Sequence, residues 1–191
     1  MIRGRPTVAA FAVSLSLVLG ACGGDGSTDG ESSNPPTSTG IGSAVDHLRH
    51  PERVPDLIRE RFGEAPSVRR IHLFRDSVLI ELRDPAKPEN LDDWTYRDGE
   101  WTSRPVSVSM SEIEALDDTT FQPSQVAWTA IPGLVQQALD GLDLEDEHVD
   151  AVSFDRLAGD PPRVYIGVTG LRGNGRLLAN ADGTDVEVAR N

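Results

Sequence analysis

Two ten-residue stretches standing 77 positions apart share one pattern, and that pattern does most to limit what this chain can fold into. "RVPDLIRERF" (53–62) and "AIPGLVQQAL" (130–139) each place an aliphatic residue before a proline, Pro55 or Pro132, and then repeat apolar residues at helical spacing. In the first these are Val54, Leu57, Ile58 and Phe62. In the second they are Ile131, Leu134, Val135, Ala138, Leu139 and, just beyond, Leu142. Apolar residues three and four apart share one helix face, and proline suits a first turn, where its missing N–H would have no intrahelical partner. Both segments predict amphipathic helices.

Strand-like runs follow each helix: 68–74 and 77–83 after the first, 148–154 and 163–169 after the second. Val78, Ile80 and Leu82 alternate with other positions, as do Val164, Ile166 and Val168, which is the period of a sheet with one buried face. Each half then reaches an Asp-Gly pair, Asp98-Gly99 and Asp182-Gly183, the strongest short hairpin signal between strands. The expected fold is therefore α+β, with two similar units, 44–118 and 119–191. Each would be a helix packed on an antiparallel sheet of about four strands. A unit of that size is marginal alone, so the two are expected to share a core or pack tightly. The alternative is two unrelated amphipathic helices aligned by chance.

The first 43 residues read differently. Arg3 and Arg5 precede an apolar run (8–20), the pattern of a signal peptide at 1–21, too short for the roughly 20 apolar residues of a bilayer span. Leu19, Gly20, Ala21 and Cys22 at its end resemble the bacterial lipobox, and the resemblance implies that Cys22 becomes the lipidated first residue of the mature protein. Acyl chains contribute about 0.8 kcal/mol per buried methylene, so several on one residue anchor firmly. The alternative is an ordinary secreted protein with a stray cysteine. Residues 22–43, rich in Gly, Ser, Thr, Pro and Asp and without apolar periodicity, read as a disordered tether. Cys22 is the only cysteine. No disulfide can staple the fold, and stability has to come from an apolar core.

Charge and motifs narrow the function. The chain carries −13, and loss of Arg3 and Arg5 would take it to −15, which repels nucleic-acid phosphates. There is no Gly-x-Ser-x-Gly elbow, and His47, His50, His72 and His148 do not form a metal-binding pair on one helix face with an acidic base between them. "GLRGNG" (170–175) lacks the lysine of a phosphate loop and reads as a turn between strands. Acidic residues crowd 112–155 while arginines crowd 49–75, consistent with docking faces, a calcium site or a solvated surface; "DGLDLEDEHVD" misses the EF-hand spacing. No cofactor, metal or catalytic residue is expected.

Aromatic residues supply the best candidate site. In a two-residue turn at Asp98-Gly99, Arg97 faces Glu100 and Tyr96 faces Trp101, so Trp94, Tyr96 and Trp101 project from one side of the sheet. On the core side they are packing; on an open side they are a binding platform. Trp94 and Tyr96 are expected to be mainly structural, with Trp101 partly exposed.

The helix-then-sheet unit used in tandem resembles PepSY-type domains and the architecture of the secreted β-lactamase inhibitor protein, and "PENLDDWTYRDGEW" (88–101) is similar to a stretch in surface lipoproteins of actinomycetes. The resemblance implies a binding or inhibitory module outside the membrane. The absence of that inhibitor's disulfides prevents carrying over inhibition of any one enzyme. The expectation is a cell-membrane lipoprotein on the extracytoplasmic face, anchored through its lipidated N-terminus, binding an envelope protein or apolar ligand without catalysis. Its rivals are a carrier of a lipid or other apolar ligand, and an envelope carbohydrate hydrolase.

Overall fold

The computed structural model describes residues 45–191. The signal peptide, the lipobox Leu19–Cys22 and the tether assigned to 22–43 lie outside the described residues. Twelve regular elements follow in chain order: α1 (Val54–Phe62), β1 (Val68–Leu73), β2 (Ser77–Arg83), β3 (Leu91–Arg97), β4 (Glu100–Val106), α2 (Met110–Glu114), α3 (Leu116–Thr119), α4 (Ile131–Leu142), β5 (His148–Asp155), β6 (Arg163–Gly170), β7 (Gly173–Asn180) and β8 (Glu187–Arg190). Among the described residues no helix is long and apolar enough to cross a membrane.

Both long helices start as their prolines direct. Short 3-10 turns at Pro51–Arg53 and Trp128–Ala130 lead into α1 and α4, with Pro55 and Pro132 in the first turns. Helix α1 stops at Gly63, whose φ of 88° suits glycine, and α4 stops at Asp143 in the left-handed region. The apolar stripe of α4 is buried through Ile131, Leu134, Ala138 and Leu142.

The sheet corrects the expectation of two four-stranded sheets. All eight strands form one antiparallel sheet in the order β4-β3-β2-β1-β5-β6-β7-β8. Its middle is the β1–β5 pairing, in which Arg70, Ile71, His72 and Leu73 face Asp155, Phe154, Ser153 and Val152. Continuous pairing exists because β1 and β5 both carry buried apolar residues at period 2, so joining them seals two edges and extends one hydrophobic face. On that face Ile71, Leu73, Val78, Ile80, Val152, Phe154, Val164, Ile166 and Leu177 join Val54 and Ile58 of α1 and Ile131, Leu134, Ala138 and Leu142 of α4 in a single core cluster.

The first hairpin forms as read. Asp98 (φ 53°) and Gly99 (φ 86°) are both left-handed, the requirement of a two-residue I′ turn, and Tyr96 pairs with Trp101 and Arg97 with Glu100. The second does not. Between β7 and β8 the chain makes a six-residue loop, Ala181 to Val186, closed by the Asn180 N–H donating to the Thr184 carbonyl at 2.8 Å and by Asp182 accepting from the Thr184 N–H and hydroxyl. The Gly183 N–H donates to the Asn180 carbonyl at 2.9 Å, so the β-turn spans 180–183 with Ala181 and Asp182 at its centre, and Asp182-Gly183 is not a two-residue hairpin turn. Residues 170–175 do make a tight turn, with Gly170 paired to Gly173.

Helices α2 and α3 have no counterpart in the sequence reading. Ser109 and Glu112 cap α2 reciprocally, and these bonds, with Arg69 beside Glu112, hold that carboxylate below its ordinary pKa. Arg69 also reaches Glu81 at 2.8 Å, while Arg83 binds Asp117 of α3. Leu91 and Leu116 are buried outside the main cluster. By strand alternation Leu91 lies on the face opposite Trp94, so the sheet's second face has apolar cover only at this end.

Candidate functional site

Helix α4 lies over β5 to β8, whereas α1 meets the rings of β3 and β4 through Phe62, its last residue. The short cover leaves the aromatic hairpin half-buried, on the helix side of the sheet but not sealed by it. Phe62, the last residue of α1, is wedged between Trp94 and Trp101. Its ring centroid is 5.1 Å from each, at interplanar angles of 75° and 77°. Tyr96 tilts against Trp101 at 5.1 Å, and the buried His47 ring meets Tyr96 edge-on at 5.9 Å. These are the edge-to-face geometries aromatic quadrupoles favour.

Two clefts open on either side of this wedge. The larger, about 670 Å³, is walled by Phe62, Trp94, Leu82, Pro66, Pro85 and Pro88, with Arg61, Arg83, Asp84 and Asp92 at its polar margin. The smaller, about 380 Å³, lies among Leu57, Glu60, Tyr96, Gly99 and Trp101, and Arg61 borders it too. The Arg61 guanidinium sits 4.7 Å from the centroid of the Trp94 ring, within cation–π range. A cleft of several hundred Å³ with a few polar groups at its margin has the dimensions of a small-molecule site.

The structure therefore brings Trp94, Tyr96 and Trp101 together but divides them between two clefts. Trp101 is partly buried, as are Trp94 and Tyr96. The chain's third tryptophan, Trp128, supplies the contrast. It is buried against Phe154, and its indole N–H donates to the Pro123 carbonyl at 2.8 Å. Neither Trp94 nor Trp101 has a hydrogen-bond partner for its indole N–H among the described residues. From sequence, Phe62 reads as one of the apolar residues of α1 and Arg61 as one of the arginines clustered at 49–75, neither as a site residue. The available signal was the spacing from Leu57, which puts Arg61 one turn on, along the same helix edge.

Other polar groups lie away from the clefts. His72 Nδ1 and Ser153 Oγ are 2.7 Å apart across the β1–β5 seam, where the strand pairing engages the backbone N–H groups. Asp155, on the same seam, is pushed above its ordinary pKa by burial, with Arg70 and Arg163 opposing in part, and its Oδ1 has no hydrogen-bond partner. His50 pairs with Glu52 and His148 with Asp150. Among the described residues no group of three His, Cys, Asp or Glu could hold a metal ion. The arginine-rich and acid-rich segments meet in one ion pair among the described residues, Arg69 with Glu112; Arg69 also pairs with Glu81, Arg83 with Asp117 and Arg163 with Asp160.

No protein-family model matches the chain, and no curated protein does. The PepSY-like reading thus rests on sequence pattern alone. Among solved structures the chain is similar to one described as a "putative lipoprotein" from Clostridium difficile 630. The identity is 12%, the TM-score 0.51, and the match covers 78% of this chain and 94% of that one. At that identity the likeness concerns the fold: an α+β chain with a large antiparallel sheet.

Proposed function

We propose that this protein is a lipid-anchored extracytoplasmic binding module without a catalytic role, whose ligand site is the pair of clefts that Arg61 borders. The observation that carries the reading is the contrast between tryptophans. Trp128 is buried with its N–H satisfied, whereas Trp94 and Trp101 are only partly buried and, among the described residues, have no partner for their N–H groups, on clefts of ligand size. A ring used only for packing is better buried whole; a ring left on a cleft rim retains contact area for a partner. Both clefts open to solvent, which suits a ligand held at the rim more than a lipid sealed inside. The lipobox at Leu19–Cys22 supports the anchoring half of the proposal, as does a structural neighbour described as a lipoprotein.

Titration with a neutral aromatic probe, 2-naphthol, tests the site. Trp94→Ala or Trp101→Ala should weaken binding by about tenfold, the loss of one central aromatic contact, and unchanged affinity in both variants would contradict the proposal. Cell fractionation tests the anchor: Cys22→Ser should move the protein out of the membrane fraction, and a variant that still sediments with membranes removes the lipid anchor from the account.

A further inference from the structure

We infer that the cleft takes a small organic anion, with an oxyanion head of the carboxylate or phosphate type joined to a flat apolar group. The inference rests on the binding reading above and names its ligand class.

The argument turns on Arg61. In this strongly acidic chain, arginines find carboxylates easily: Arg69 holds Glu81 and Glu112, Arg83 holds Asp117, Arg97 holds Asp76, and Arg104 holds Asp93. Arg61 makes no ion pair and no side-chain hydrogen bond among the described residues, although Glu60 and Asp92 line the clefts it borders. Its guanidinium carbon instead sits over two rings, 4.7 Å from the Trp94 centroid and 5.6 Å from that of Phe62. With no carboxylate bound to it among the described residues, Arg61 keeps N–H groups for a ligand, and a guanidinium presents a planar fork that matches two oxygens of a carboxylate or phosphate. Because the rings already restrain that fork, less freedom is lost when an anion docks.

Position fixes the rest of the ligand. Arg61 borders both clefts, so a head at its edge places the attached group against Trp94 and Phe62 on one side or Tyr96 and Trp101 on the other. These surfaces are flat rings, and a flat apolar body covers them best. Asp92 stands two residues before Trp94 on the same strand face, makes no ion pair among the described residues, and its carboxylate repels a second negative group at that end of the larger cleft. One anionic head and an uncharged body satisfy both residues.

Calorimetric titration of the full chain with four naphthalene probes reads the head group on a constant ring: 2-naphthoate, 2-naphthyl phosphate, neutral 2-naphthol and cationic 2-naphthylmethylammonium. At least one anion should bind about tenfold more tightly than 2-naphthol, with the cation weakest. The leading anion identifies the head as carboxylate or phosphate. Arg61→Gln should bring the anions down to the 2-naphthol value while 2-naphthol still binds, which also shows that the variant is folded. Asp92→Asn should tighten the anions. If 2-naphthol binds as tightly as both anions, or if Arg61→Gln leaves their advantage intact, the anion inference is overturned and the cleft stands. If no probe binds, the cleft reading falls and this inference with it.

Discussion

His47 carries a pH signature. It stands at the start of the described chain, almost fully buried, with Nδ1 unpartnered, its ring against Tyr96, and its backbone N–H donating to the Arg75 carbonyl. Burial holds its pKa below the ordinary 6.5, with Asp46 and Asp76 opposing in part. In the unfolded chain the same imidazole takes up a proton near 6.5, so stability is fully present above that pH and is lost as pH falls through the depressed folded value. His72 shifts in the same direction, through burial and Arg70 with Asp93 opposing. Melting temperature should therefore drop between about pH 7.5 and about pH 5.5, and His47→Gln should flatten part of that drop. A His47→Gln profile parallel to the parent's would show that this ring does not carry the effect.

At the scale of elements, close packing depends on a glycine in the seventh strand. A Cβ at Gly175 would overlap Cδ2 of Leu142 and lie 2.8 Å from the Ala189 carbonyl oxygen, so α4 can close on β7 and β8 only over a bare backbone. Arg190 reinforces the same contact by donating to the Leu142 and Asp143 carbonyls at the end of α4. Gly175→Ala should destabilise by about 1–3 kcal/mol, the usual cost of overpacking; a variant with the parent's denaturation midpoint would mean that α4 has room to shift. Sequence was a good guide to such elements where the signal is local. The β2 run at 77–83, the Pro55 and Pro132 helices and the Asp98-Gly99 turn were all legible, because alternation, proline geometry and a left-handed dipeptide act within a few residues. Helices α2 and α3 were not, since each is too short to show a period and is held by contacts to distant Arg69 and Arg83.

At the largest scale, the strands of the described residues form a single sheet because of one pairing that sequence could not reveal. Alternation says which face of β1 and β5 is apolar, but not that Ile71 will sit opposite Phe154. The candidate site was hidden for the same reason. Its three hairpin rings were legible, yet the cleft exists only because α1 ends at Phe62 and Arg61 then falls over Trp94, a meeting of residues 33 apart in the chain. The unequal helices complete the arrangement: α4 covers its half of the sheet, and α1 leaves the far hairpin rimmed but open. That openness is the central claim, and the three tryptophans report on it individually. In a proton–nitrogen NMR spectrum each gives one indole cross-peak, and titration with 2-naphthol should shift those of Trp94 and Trp101 while the Trp128 peak stays in place. Saturating probe that leaves the Trp94 and Trp101 peaks unmoved, or that moves Trp128 instead, would contradict the account.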